Sequence, residues 1–267
     1  MATVTHPFVS AKADGGDATL VRPSNWNAGH TIDMQAVWSS VRNISRNNAA
    51  TPLTIMDLNA DYVTLITDDR KDQVTRESPA AITVDITTAG PAAGGRDQAG
   101  AFSANSWVYF YWIWNGTTLS GTVSVNGPET GPTLPGGYTF WCLAMAVRLI
   151  AGPNLRTTRA AGDIMWLEQR VSLLATGQAT TETSIGMASV VPTDALESIL
   201  EFQQTGNQNV TLRYITGSDF MILPSGNYGG QIWVPQVAQG MFYLFASAPT
   251  GSLNLLSLGY RIPNNGG

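Results

Sequence analysis

A chain of 267 residues in which 43% of side chains are hydrophobic and only 12% charged is long enough for more than one compact unit and apolar enough to fold. Its formal net charge of −5 and pI near 4.9, with no clustered Lys and Arg, exclude a broad nucleic-acid-binding face, because phosphate contacts need concentrated cations. The single cysteine, Cys142, excludes an intrachain disulfide and a thiolate-rich zinc site, and its apolar neighbours predict a small buried hydrophobe. No basic start precedes an apolar core, and no apolar run reaches the length of a membrane span, so neither an export signal nor membrane insertion is expected.

Residues 1–31 read as an extended arm. The segment is polar and punctuated by Pro7, Gly15, Gly16 and Pro23, so it has too little apolar surface to fold alone. Phe8, Leu20, Val21 and Trp26 are nevertheless spaced along it as anchors. One reading is a strap on its own domain; the other, which the composition favours, is a docking arm that inserts into neighbouring subunits of an assembly. The predicted docking interface comprises Phe8, Leu20, Arg22, Pro23, Asn25, Trp26 and His30. Arg22 to Trp26 joins a proline-fixed φ to a cation, an amide and an indole, the side-chain types that dominate interface hot spots.

A first β-rich domain is expected over residues 32–154. Met34, Val37, Trp38 and Val41 have the spacing of one helical face, which predicts a short helix within 34–44; an extended continuation of the arm is the alternative. Strands follow at Leu53–Met56, at Tyr62–Ile66 before the stop Asp68-Asp69, and at Ile82–Ile86, where apolar and polar residues alternate. The small-residue loop between Thr88 and Asn105 is long enough that a function or a neighbour contact is expected of it. Trp107–Trp114 is the most apolar stretch, and Asn115-Gly116 after it is a strong hairpin signal because both turn positions need positive φ. Aromatics at successive positions predict a strand covered on both faces, by two sheets or by one sheet and a neighbouring subunit. Its return strand is Leu119–Val125, and Thr139–Ile150 supplies another.

Residues 155–162 read as a linker, and 163–267 as a second β-rich domain. Its strands are expected at Ile164–Leu167, Val171–Leu174, within Thr181–Val191, and at Ser198–Phe202, Val210–Tyr214, Gln231–Val234, Met241–Ala246 and Leu253–Ile262. Short strands at near-regular spacing with Gly and Asn turns, and no heptads or βαβ alternation, predict a mainly β protein. The expected architecture is an extended N-terminal docking arm and two antiparallel β-sandwich or barrel-like domains, with at most short helices.

The run Thr19-Leu20-Val21-Arg22-Pro23-Ser24-Asn25-Trp26-Asn27, followed by Ala28 and His30 and preceded by Asp14-Gly15 and Asp17, resembles the opening of structural proteins of tailed-bacteriophage virions, of the fibre, spike or decoration type. Trp114–Leu119 followed by Pro132–Thr139 is similar to a strand-turn-strand passage in the same class. The resemblance implies a virion component, assembled in the host bacterial cytoplasm and anchored to the particle through its arm. Its implied partners are other virion proteins and further copies of itself, most simply in a homotrimer. A host-surface polysaccharide is the partner under the alternative reading, a receptor-recognition protein; a glycan-degrading spike is a further alternative.

The sequence assigns no catalytic, cofactor or metal-binding residue. Its two histidines, His6 and His30, both lie in the arm. Glycoside hydrolysis commonly needs two carboxylates, and Asp68, Asp69, Asp85, Asp163, Glu197, Glu201 and Asp219 are available, but no spacing singles out a pair. No P-loop, dinucleotide fingerprint or nucleophile elbow is present, so the expectation is a protein without enzymatic activity. For ligand contact, Tyr228 within Gly226-Asn227-Tyr228-Gly229-Gly230 stands out as an aromatic in an open loop. Trp233 and Tyr260 are weaker choices, Trp233 because core packing beside Ile232 and Val234 explains it equally well.

Overall fold

The computed structural model describes residues 2–4, 30–32, 44–77 and 80–263. Phe8, Leu20, Arg22, Pro23, Asn25 and Trp26, and the helix expected within 34–44 apart from Ile44, lie outside these residues; of His30 only the backbone is described. Every regular element among the described residues is a strand, as the alternating patterns predict. The first strands are β1 (Ala2–Val4), β2 (His30–Ile32), β3 (Arg46–Asn47), β4 (Ile55–Leu58), β5 (Tyr62–Thr67), β6 (Gln73–Glu77) and β7 (Ile82–Asp85). Then come β8 (Trp107–Trp114), β9 (Leu119–Ser124), β10 (Phe140–Ile150), β11 (Asn154–Leu155), β12 (Thr158–Ala161) and β13 (Ile164–Gly177). The chain finishes with β14 (Thr183–Gly186), β15 (Glu197–Gln204), β16 (Val210–Ile215), β17 (Ser218–Leu223), β18 (Tyr228–Pro235), β19 (Gly240–Phe245) and β20 (Leu253–Arg261).

Antiparallel pairing assembles these strands into an eight-stranded sheet of order β18-β15-β20-β13-β12-β3-β4-β7, a six-stranded sheet of order β6-β5-β10-β8-β9 with β11 on β10, and a four-stranded sheet of order β14-β19-β16-β17. β1 and β2 pair separately. The largest sheet draws strands from both expected domains. Residues 155–162, read from the sequence as a linker, hold Leu155 of β11 and all of β12, which pairs with β13 on one side and meets β3 through Arg159 and Arg46 on the other. Gly and Thr content there reflects short strands and tight turns, and the sheet continues through it.

The middle of the molecule is β8. Val108 to Trp114 are all buried, because β9 and β10 hold its two edges and other strands cover its two faces. Trp107, on one face, meets the ring of Tyr260 edge-on with centroids 5.4 Å apart, and the Tyr260 hydroxyl donates to the Ala146 carbonyl of β10 at 2.6 Å. Trp112, on the opposite face by strand alternation, lies directly across from Gly121 of β9. A side chain at Gly121 would collide with Val84 and Leu58, so glycine there admits the eight-stranded sheet to close approach. The cover expected for this strand therefore comes from the chain's own sheets.

The long loop after β7 is also ordered by contacts within the chain. Gly94 donates to Gly121, Val123 donates to Gly95, and Asp97 donates to Val123, so the loop lies along the outer edge of β9. Arg96 is 7% exposed and gives its guanidinium to the carbonyls of Ile86, Gln98 and Ala99. That cage pins the loop and closes an edge that would otherwise be open.

Tyr260 joins two sheets through one hydroxyl, so Tyr260→Phe is expected to retain the fold and lose about 1–2 kcal/mol of unfolding free energy, because the bond is buried. Urea unfolding measures this; an unchanged midpoint would mean that Ala146 finds another donor.

Candidate functional site

Most carboxylates singled out in the sequence are engaged by the fold. Asp163 and Glu197 share Arg261, Glu201 pairs with Arg170, and Asp219 shares Arg213 with Glu182. Asp69 is held down to about 2 by hydrogen bonds from Thr67 and Lys71, and Asp85 caps its own turn through Thr87. Asp68 accepts the Trp141 indole N–H. An acid or base committed to a neighbouring cation is a poor proton carrier, since the pair stabilises the charged form.

A different group of residues lines a cavity of about 530 Å³ beside the face of β8 that carries Tyr109 and Tyr111. Ile66 of β5 and Trp141 of β10 are direct cross-strand partners, so their side chains share a face and form one wall. The bond to Asp68 fixes the plane of the Trp141 indole, and Tyr111 packs against it edge-on with centroids 5.4 Å apart. Arg70 reaches the cavity from the turn after β5, where its backbone adopts φ 57°, a left-handed conformation unfavourable for a residue with a side chain. Pro128 and Glu129 form a second wall and Thr193 and Asp194 a third.

Asp194 is placed by two elements. The Tyr109 hydroxyl faces Asp194 and Thr193, and burial followed by the Asp194 contact pushes it well above its usual titration range. A Cβ on Gly127 would lie 2.7 Å from Asp194 Oδ2, so only glycine lets that loop close over the carboxylate. Oδ2 is buried there without a hydrogen-bond donor. Asp194 and Glu129 make no ion pair among the described residues, in contrast to Glu197, Glu201 and Asp219. Sequence reasoning missed this group because its members come from five separate segments. The one local signal, Pro192-Thr193-Asp194, reads as an ordinary turn.

Exposed apolar residues gather elsewhere. Ile215, Ile222, Tyr228, Trp233 and Val237 all fall between β16 and the turn after β18, and each is at least 39% exposed. Tyr228 is 48% exposed, as expected for an open position, although it begins a strand. Trp233 points away from the core, since its neighbours Ile232 and Val234 occupy the buried face; Tyr260, by contrast, is fully buried. β17 and β18 each end a sheet, and four residues separate them along the chain. β18 carries no charged side chain, whereas the edge strand β6 carries Arg76.

Comparison with protein-family models, with curated proteins and with solved structures gives no match to the chain.

The Arg213 cluster has a pH signature. Its hydrogen bond with Arg213 lowers Glu182 below its ordinary 4.5, so the stabilisation is complete above that value and is lost as pH falls through the lower folded value. A thermal midpoint that holds from neutral pH to about 5 and then declines is expected, with a shallower decline in Glu182→Gln; equal declines would remove the cluster from the acid response.

Proposed function

We propose that the protein is a non-enzymatic structural component of a tailed-phage virion, of the fibre, spike or adaptor type, anchored through its N-terminal arm and associating with further copies of itself through the β17–β18 side. The observation that carries this reading is the uncharged strand β18 at the end of its sheet, with Tyr228 and Trp233 exposed on it and Ile222 exposed on β17, which ends another sheet. Soluble monomers normally guard such edges with charge, proline or a covering loop, as the 94–97 loop does for β9. Pro235 blocks only the last position of β18, and the edge from Tyr228 to Val234 suits a neighbouring strand. The resemblance of Thr19 to Asn27 to virion proteins supplies the kind of assembly, and homotrimers follow from the same resemblance.

Two measurements test the reading. Mass determination on the purified chain at micromolar concentration is expected to show a homo-oligomer, and the double substitution Ile222→Lys and Tyr228→Lys, at exposed positions, to shift it to monomer without a change in thermal midpoint. A wild-type monomer would count against association through the body. For the arm, Trp26→Ala is expected to leave the body folded and to weaken incorporation into particles by about 2–4 kcal/mol, the range for a central indole anchor. Unfolding of that variant would make the arm a strap on its own domain, and normal incorporation would move attachment to the β-sheets.

A further inference from the structure

From the directly opposed Arg46 and Arg159 on the outward face of the eight-stranded sheet we infer a docking site for a carboxylate-bearing segment of a protein partner. The two residues are the registered pair that joins β3 to β12, and cross-strand partners share a face. Their neighbours fix them there: Ala160 donates to the Ser45 carbonyl at 2.8 Å, and Thr158 donates to the buried Asn47 side chain at 2.7 Å. Since Ser45, Asn47, Thr158 and Ala160 take the buried face, both arginines are turned to the exposed one. Like charges set directly opposite on a sheet cost stability. The other described arginines are engaged, among them Arg261 with carboxylates, Arg156 with a carbonyl and Arg148 over an indole. Neither Arg46 nor Arg159 has a side-chain partner among the described residues.

The surroundings of the pair narrow the ligand. Asp57, directly opposite Arg46 on β4, takes both carboxylate oxygens to the Asn48 amide at 3.0 Å, and Glu168, exposed two positions beyond Trp166, forms no ion pair among the described residues. Two arginines with two carboxylates nearby favour a monoanion over a phosphate dianion, and the planar guanidinium fork matches a carboxylate. A nucleic-acid backbone needs a longer run of cations than one pair supplies. Apolar side chains stand on either side. Trp166, half-buried, lies directly opposite Arg159 on β13. Ile44, 46% exposed, precedes Arg46 by two positions and continues its ladder by donating to the Asn59 carbonyl at 2.9 Å, so it shares the outward face. Two charge-assisted forks between an indole and an isoleucine fit an acidic residue with apolar neighbours on an extended segment, and Trp and Arg are the side chains that most often anchor protein contacts.

The inference uses the seam between β3 and β12 and rests neither on self-association nor on the arm. Side-chain NMR titration and thermal unfolding of the full chain test it, with the peptide acetyl-Leu-Glu-Leu-Glu-Leu-amide, its glutamine counterpart, inorganic phosphate and a thymidine oligonucleotide as probes. The glutamate peptide is expected to shift the guanidinium signals of Arg46 and Arg159, to saturate in the millimolar range or tighter, and to bind at least fivefold more weakly after Arg46→Gln or Arg159→Gln. Each substitution is also expected to leave the thermal midpoint level or raise it, because it relieves the repulsion; that separates contact with a ligand from a role in folding. Glu168→Gln, at an exposed position, is expected to tighten the same peptide. Equal binding of the glutamine peptide, binding that survives the double substitution, a lower midpoint in both single variants, or silence of the glutamate peptide overturns the inference. Tighter binding of phosphate would mark a small-anion site and tighter binding of the oligonucleotide a nucleic-acid surface, and either result overturns the assignment to a protein partner.

Discussion

Burial of β8 on both faces and both edges is the constraint on which the rest of the structure depends. A strand reading Trp-Val-Tyr-Phe-Tyr-Trp-Ile-Trp cannot be left with a solvent face, since each aromatic buries a large apolar area and dominates core energetics. Antiparallel sheets ordinarily solvate one side. Here the second side has to be supplied, and the eight-stranded sheet supplies contacts to both: β4 and β7 reach Gly121 beside Trp112, and β20 reaches Trp107 through Tyr260. A sheet that touches two faces of another must recruit strands from distant parts of the chain. That is why β3, β4 and β7 share a sheet with β12, β13, β15, β18 and β20.

Sheet edges are treated unequally. The edge of β9 is sealed by main-chain bonds from Gly95 and Asp97, with Arg96 buried among carbonyls to hold the loop. The edge of β6 carries charge. Among the described residues β17 and β18 each end a sheet with no strand beyond them, β18 carries no charged side chain, and exposed isoleucine, tyrosine and tryptophan occur on them. Closing one side and leaving another open is a property of the whole fold, because it depends on which strand ends each sheet.

The same fold divides its carboxylates into two groups. Those on the sheet surfaces at Asp163, Glu197, Glu201 and Asp219 are matched to arginines and serve the packing of strands. Asp194 is set between Tyr109 and Gly127 with one oxygen unpartnered, where a bare carboxylate oxygen in a low-dielectric site is unfavourable for stability. Arg70, with its left-handed backbone, and Asp194 line one cavity.

By itself the sequence determined the mainly β character, a hairpin at Asn115-Gly116, the two-sided burial of Val108 to Trp114 and the exposure of Tyr228, although in that hairpin only Gly116 takes the positive φ expected of both turn residues. Each of these follows from side chains within a few residues of one another: alternation places successive side chains on opposite faces, and turn chemistry is local. Trp233 could not be assigned from Ile232 and Val234, because alternation says that neighbours face opposite ways and not which way is inward. Residues 155–162 look like a linker for a similar reason, as polar composition does not reveal that β12 will find β3 more than a hundred positions away. Only the tertiary structure decided which carboxylates meet arginines, which edges stay open, and that Ile66, Arg70, Glu129, Trp141 and Asp194 would surround one cavity. Such sites are set by long-range strand pairing, and pairing depends on the complementarity of whole faces, which no short window of sequence contains.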